Sequence, residues 1–425
     1  MLDSDQLLKK LEILADAAKY DASCSSSGAE YKDSIKTGGI GSTNSSMGIC
    51  HSYAPDGRCI SLLKILLTNF CLYECAYCVN RTSSNVPRAR FSIDEVVNLT
   101  MEFYKRNYIE GLFLSSGIIQ SADYTMEQVV AVAKKLRLEH RFNGYIHLKT
   151  IPEASPELLA EAGLYADRLS INVELPTEKS LNALAPEKNA RSINRTMANL
   201  GEGIKEYKES KKQARKQQNK KLLAPKFSPS GQSTQMIVGA DKSNDSTILR
   251  KANKLYKSFK LKRVYYSAFS PIPDSSNVLP LKKPPLMREH RLYQADWLLR
   301  FYGFEIDELT ATAEHNVNGM LALDMDPKLA WAINHREQFP VDLNKADFES
   351  ILRVPGIGVT NARRILQQRK VRAIRYQDLT SLRLAIDKVK VFVETIDHHP
   401  PTYELDSLTL AKRFTVEKQD QLSLF

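Results

Sequence analysis

Long apolar runs are missing from this sequence: across 425 residues no stretch approaches the roughly 18 consecutive apolar residues of a membrane span. Cysteine is scarce as well. Six in the whole chain are too few for a disulfide scaffold, and a reducing compartment would not keep such bridges. The opening MLDSDQLLKK lacks the basic start and continuous apolar core of a secretory leader. The expected compartment is therefore cytoplasmic, with no membrane partner. Acidic residues are in deficit: 49 Asp and Glu stand against 60 Lys and Arg, for a net charge of +11. That balance points towards a polyanionic partner. The 43% of hydrophobic and 26% of charged residues suit a globular protein with real cores, and the length suits two or three domains.

Along the chain, the first twenty residues read as an amphipathic helix with Leu7, Leu8, Leu11, Ile13 and Leu14 on one face. Residues 21–58 are rich in Ser, Gly and turn formers and read as a long loop. Six short runs follow, rich in Ile, Leu, Val and Tyr: residues 60–70, 111–117, 144–150, 167–174, 234–240 and 262–270. Helix-period segments separate them. One opens on Ser92 with Glu95 three residues on, a capping box. Alternating strands and helices predict βα units on a parallel sheet, and six units suit an open, partial (β/α)6 barrel in an α/β fold. Residues 205–221 carry eight basic residues against two acidic ones, a charge block that could follow a nucleic-acid backbone or simply be solvated. The Pro-rich stretch 270–285 marks a domain boundary. Beyond it helices dominate, including one over residues 286–304 closed by Gly303 and one with Pro327 in its first turn.

Half of the cysteines fall in CLYECAYC, at Cys71, Cys75 and Cys78. A structural zinc site normally takes four protein ligands, whereas an iron–sulfur cube held by three thiolates leaves one iron free for a small molecule. CxxxCxxC with an aromatic before the last Cys, here Tyr77, directly after a first strand, resembles the signature of the radical SAM superfamily. The resemblance covers roughly residues 60–273 and implies a [4Fe-4S] cluster on those thiolates, with S-adenosylmethionine (SAM) on the fourth iron. It also implies cofactor contacts at the strand ends: Ser115, Ser116 and Gly117 in place of the family's Gly-Gly-Glu, Asn172 and Glu174 for ribose hydroxyls, and Val238 with Gly239 beside the adenine. Tyr265, Tyr266 and Lys149 lie near strand ends and are candidate catalytic residues. Cys24, Cys50 and Cys59 with His51 could hold a second metal, cap the site, or be unrelated residues of a lid.

Further on, VDLNKADFESILRVPGIGVTNARRIL predicts a helix capped by Asn344 with Asp347 at its third position. A turn follows in which Gly356 and Gly358 supply backbone angles closed to other residues, and then a second helix with Arg363 and Arg364. It resembles the helix-hairpin-helix DNA-binding motif, and the alternative is an ordinary turn between core helices. The resemblance implies a sequence-independent grip on a DNA phosphate by Pro355, Gly356, Ile357, Gly358, Arg363 and Arg364. Residues 376–393 read as a degenerate second copy. The last five residues, Gln421, Leu422, Ser423, Leu424 and Phe425, resemble the bacterial sliding-clamp-binding pentapeptide.

The expected domains are 1–58, a partial radical SAM barrel at 59–275, an all-α helix-hairpin-helix region at 286–397 and a tail at 398–425. Taken together the chain resembles the DNA modification or repair radical SAM proteins, which implies an adenosyl radical directed at DNA and a reductant such as flavodoxin or ferredoxin. A tRNA-modifying radical SAM enzyme and a non-catalytic DNA-binding protein with a structural cluster are the alternatives.

Overall fold

The six aliphatic runs form six parallel strands in a computed structural model of the chain, which describes residues 4–18, 48–53, 59–272, 278–311, 318–401 and 407–414. They are β2 (Cys59–Leu66), β3 (Gly111–Ser115), β4 (Tyr145–Lys149), β5 (Arg168–Ser170), β6 (Gln232–Val238) and β7 (Arg263–Ala268). They lie side by side in chain order, and the sheet curls into a half-barrel. A seventh strand comes from the stretch that reads as loop: β1 (Ile49–Tyr53) pairs antiparallel with the open edge of β2. Edge pairing has overridden a weak local propensity there.

The two faces of the sheet differ. Alternate residues point to opposite faces of a strand, and the register makes one face apolar: Leu63, Ile65, Leu112, Leu114, Ile146 and Leu148 are all buried on it. Ile65 meets the N-terminal helix α1 (Ser4–Ala18) beside Gly48 and Ala15. In α1 the buried stripe is Leu11, Leu14, Ala15 and Ala18, while Leu8 is 56% exposed. Leu8 therefore lies off the apolar face on which the sequence periodicity sets it. The connections between strands carry α2 (Ile93–Lys105), α3 (Ala122–Leu138), α4 (Pro156–Tyr165), α5 (Glu178–Leu184), α6 (Ala190–Lys216) and α7 (Asp245–Phe259). The Ser92–Glu95 capping box is formed at the start of α2. The basic block at 205–221 continues α6 for about two and a half turns past its last buried residue, Tyr207, and ends in a 3-10 turn at Lys220–Leu222.

Chain contacts divide the molecule into two units, Met1–Lys242 with Lys254–Pro284, and Ser243–Asn253 with Pro285–Phe425. The second contains α8 (Leu286–Phe301), α9 (Ile306–Thr310), α10 (Pro327–Asn334), α11 (Phe348–Arg353), α12 (Val359–Gln368), α13 (Tyr376–Ser381), α14 (Ile386–Val389) and α15 (Ser407–Phe414). It is not purely helical. Val341–Asp342 (β8) and Val393–Glu394 (β9) form a short parallel pair that brackets α11 to α14. Gly303, in left-handed backbone at φ +71, follows the end of α8. Trp331 is fully buried between Phe304 and Phe339, and the Arg353 guanidinium covers its ring at 4.7 Å.

Asn344 does not cap α11. The cap is Asp347, whose carboxylate accepts from the Ser350 amide at 2.7 Å. Asn344 instead makes a two-way bond with the backbone of Ile374, through Nδ2 to its carbonyl and Oδ1 from its amide. Five residues, Leu343 to Asp347, separate β8 from α11, so Asp347 and not Asn344 stands at the helix start. The segment 376–389 repeats the layout of 348–368. Gly356 and Arg383 both adopt positive φ, at +86 and +55. Each is flanked by buried apolar residues, Pro355 and Ile357 or Leu382 and Leu384, and followed by an N-cap, Gly358 or Ala385.

Candidate active site

Parallel strands present the start of every following loop at one edge of a sheet. The cysteine loop leaves β2, Ser115–Gly117 ends β3, Lys149 ends β4, Asn172 and Glu174 follow β5, and Val238 and Gly239 end β6. Backbone bonds tie the first two together: Leu67 N donates to Ser115 O at 2.8 Å, Gly117 N to Thr68 O at 2.7 Å and Leu72 N to Ile118 O at 2.8 Å. The approach is so close that a Cβ on Gly117 would stand 2.2 Å from the Phe70 carbonyl oxygen. Glycine is needed there for space, not for its backbone freedom.

The loop that carries the cysteines is held from inside by Arg88. Its guanidinium donates to the carbonyls of Asn80 (2.9 Å), Arg81 (2.6 Å) and Ser84 (3.0 Å), and to that of Asn69. Asn69 adds a second tie, donating to Pro87 O and accepting from Ala89 N. Nothing in VPRARF distinguishes Arg88 as a clamp, because all its partners are carbonyls.

Amides point at two of the three sulfurs. Cys71 Sγ accepts from Tyr73 N and Ile118 N, each at 3.5 Å, and Cys78 Sγ accepts from Asn80 N at 3.4 Å. Such N–H groups suit a sulfur that carries negative charge in a metal complex. Burial pushes the Cys75 thiol up to about 12, against the pull of the Lys188 cation, and burial also raises Cys78. Metal coordination reverses that preference, since a coordinating thiol is deprotonated outright. Among the described residues no three His, Cys, Asp or Glu side chains are grouped tightly enough to hold a single metal ion. The donor set nonetheless fits an iron–sulfur cluster in its chemistry: three cysteine sulfurs on one clamped loop, with backbone N–H groups aimed at two of them.

A polar group surrounds this loop, and sequence reasoning missed three of its members, Lys188, Glu153 and Tyr73. Lys188 Nζ pairs with Glu174, which is 4% exposed and sits in left-handed backbone at φ +59, a strained conformation for a non-glycine residue. Burial works against the charge of Lys188 but is outweighed by Glu174 and Tyr77, so the ammonium is held well above its usual range. Burial raises Tyr77 well above the ordinary phenol and raises the Glu153 carboxyl, and burial with Glu153 pushes Tyr73 up to about 12. The Tyr77 hydroxyl and Glu153 Oε1 are both buried without a hydrogen-bond partner. A positive φ at a glutamate and two orphaned polar atoms leave no trace in local sequence.

The remaining candidates are distributed unevenly. Asn172 Nδ2 reaches Gln235 Oε1 at 3.4 Å. Gly239 has φ +82 and leaves no room for a side chain beside Pro284. Tyr265 and Tyr266 face opposite ways: Tyr265 meets Arg168 at 3.4 Å on the polar face, whereas Tyr266 is fully buried in register with Met236 on the apolar one. That position takes Tyr266 away from the polar face. Cys50 and Cys59 also lie on opposite faces of the β1–β2 pair, in register with Leu62 and Tyr53, so they cannot converge on one ion. Cys24 and residues 421–425 lie outside the described residues.

In the second unit, α12 begins at Gly358 with no side-chain cap and no acid in its first turn. Gly358 has φ −101, an angle open to any residue. What a side chain would meet there is the Tyr302 hydroxyl, 3.2 Å from a Cβ. Gly356 does need its left-handed angle, and it packs against Val389. Pro355 and Ile357 are buried, and Arg363 and Arg364 are exposed. Lys328 Nζ, almost entirely buried, donates to the Ile357 carbonyl at 2.6 Å and so braces the turn from below.

Residues 65–222 match the model of the radical SAM superfamily. No curated protein matches the chain. Solved structures that are similar include methylornithine synthase, 13% identical over 55% of this chain and 60% of that one, with a TM-score of 0.41. The FeFe-hydrogenase maturase HydG from Carboxydothermus hydrogenoformans is 12% identical over 55% and 50%, with a TM-score of 0.39. Coproporphyrinogen III oxidase from Escherichia coli, described as a radical SAM enzyme, is 12% identical over 54% and 50%, with a TM-score of 0.33. The match spans at most 60% of the length of each of these three. No described helix is long and apolar enough to cross a membrane.

Proposed function

We propose that this chain is a radical SAM enzyme that acts on DNA, modifying a base or repairing a lesion. The observation that carries the reading is the clamped loop of Cys71, Cys75 and Cys78 at the strand-end edge of a segment matched by the radical SAM model. When bound, a [4Fe-4S] cluster and SAM supply a 5′-deoxyadenosyl radical. The residues of the chain would do the rest. Cys71, Cys75 and Cys78 hold the cluster, Arg88 fixes the loop, and Ser115, Ser116, Gly117, Asn172, Val238 and Gly239 line the edge where SAM lies. The Glu174–Lys188 pair and Tyr77 order the polar wall beside it and exclude water.

DNA is supported by the hairpin of the second unit. The uncapped start of α12 and the exposed Arg363 and Arg364 suit a backbone phosphate. Duplex DNA would have to flip its target to present it to the barrel. The basic end of α6 could follow the same backbone. A flavodoxin or ferredoxin would deliver the electron, and residues 421–425 would dock on a bacterial sliding clamp.

The test is incubation of reduced, cluster-reconstituted protein with SAM, followed by chromatography for 5′-deoxyadenosine, which the proposal requires. No product would leave a non-catalytic DNA-binding protein with a structural cluster. Competition between duplex DNA and tRNA for the protein decides the nucleic acid: tighter tRNA binding would replace DNA by RNA as the target.

A further inference from the structure

The sheet face turned away from the helices is basic. The register aligns Lys64, Phe113, His147 and Arg168 across β2 to β5, and Phe113 lies against both Lys64 and His147. Lys149 and Arg263 occupy the same face by alternation, and no strand residue on this face is acidic. Ile60, Leu62 and Phe113 close its lower end as an apolar plug. Strand residues of one sign on a concave wall concentrate the field in its interior.

Arg168 is the sharpest feature of that wall. It is 6% exposed, it makes no ion pair among the described residues, and its Nε is buried without any partner. Among the described residues its one hydrogen bond runs from NH1 to the Tyr265 hydroxyl, 3.4 Å away on β7. The guanidinium therefore reaches across β6, the strand that carries Ser233 on the same face. Ser233 is fully buried and its hydroxyl also lacks a partner. A buried, uncompensated guanidinium is costly unless an anion completes it. Guanidinium and hydroxyl donors together match a planar or tetrahedral oxyanion.

We propose that the barrel interior binds its substrate through an oxyanion, a phosphate or a carboxylate, seated on Arg168 and the Ser233 hydroxyl. The inference rests on the barrel interior being the substrate site of a radical SAM domain, and not on DNA being the substrate. Seating the anion deep in the wall would fix the depth at which the rest of the substrate stands below the cysteine loop.

The experiment is thermal unfolding of the full chain with inorganic phosphate and, separately, succinate, each against chloride at equal ionic strength. It needs neither SAM cleavage nor DNA, so its failure is separate from theirs. One of the two probes should raise the melting temperature in a saturable way, as a ligand that favours the folded state must. Response to phosphate assigns a phosphorylated substrate such as a nucleotide, and response to succinate assigns a carboxylic acid. Arg168→Gln should raise the half-saturating concentration by about tenfold or more, the usual effect of losing a charged hydrogen bond. It should also melt no lower than wild type without ligand, whereas a purely structural arginine would leave a weaker fold. Lys134→Gln, on the outside of α3, should respond as wild type. If Arg168→Gln does not fold, Ser233→Ala takes its place and should weaken the same response severalfold. Equal response to all three salts, or an undiminished response in these lumen variants, overturns the proposal.

Discussion

Gly117 and Tyr77 show how single residues shape the cysteine loop in opposite senses. Gly117 is where β3 and the loop touch, and Gly117→Ala would drive a methyl group to 2.2 Å from a backbone oxygen. Backbone cannot rotate away as a flexible side chain can. The variant should retain little iron and sulfide after anaerobic reconstitution while its far-ultraviolet circular dichroism stays that of the wild type. Full iron content would show that the contact does not position the loop. Tyr77 carries a hydroxyl that burial has stripped of partners. Tyr77→Phe removes that desolvation penalty, so it should be neutral or stabilise the cluster-free protein by about 1 kcal/mol in urea unfolding. A loss of stability would mean that the hydroxyl is satisfied by water. The cysteines were legible in sequence because their side chains have one chemistry that matters. Arg88, Lys188 and Glu153 were not, because each acts through partners far along the chain.

Among the elements, α10 carries a titrating group, Lys328, beneath the hairpin between α11 and α12. Burial, helped by Arg353 and Lys388 and opposed by Asp326, lowers the Lys328 ammonium to about 7. Below that pH the group is charged both folded and unfolded. Above it, up to the ordinary value of 10.5, the unfolded chain holds a proton that the folded chain has released. Its contribution to stability therefore rises with pH across this window, by at most about 1.4 kcal/mol per unit. Both tryptophans, Trp297 and Trp331, lie in the second unit, so urea unfolding read by their fluorescence reports that unit alone. Wild type should gain stability between about pH 7 and pH 9 relative to Lys328→Met, which has no such proton to release. Parallel pH profiles would refute the assignment. Sequence reasoning found this hairpin from its glycines and the apolar residues around them. It misassigned the cap because Asn344 is a good cap by type, and only its two bonds to the Ile374 backbone, far along the chain, engage it elsewhere.

For the molecule as a whole, the net charge of +11 matters through where it is displayed. If Arg363 and Arg364 both meet phosphates, replacing both with Gln should weaken duplex binding regardless of sequence. It should also reduce the slope of log affinity against log salt by about two, one per contact. An unchanged slope would move the contact elsewhere, with the basic end of α6 the next surface to test. Deletion of residues 421–425 should abolish co-elution with a bacterial sliding clamp and leave duplex affinity untouched, and retained co-elution would dismiss the tail as the anchor.

What the sequence by itself determined is what short stretches of chain can encode: the three-cysteine spacing, the run of parallel strands, and the glycine turn at Gly356. Each is set by local geometry or by the chemistry of one residue type. Which side chains share the barrel interior was decided only by the tertiary structure. A strand displaced by one residue presents its other face, so which of Tyr265 and Tyr266 faces the interior, and the separation of Cys50 from Cys59, follow from register. So does the meeting of Arg168 with a tyrosine 97 residues away. Register in turn is fixed by packing of the whole sheet, which no local pattern contains.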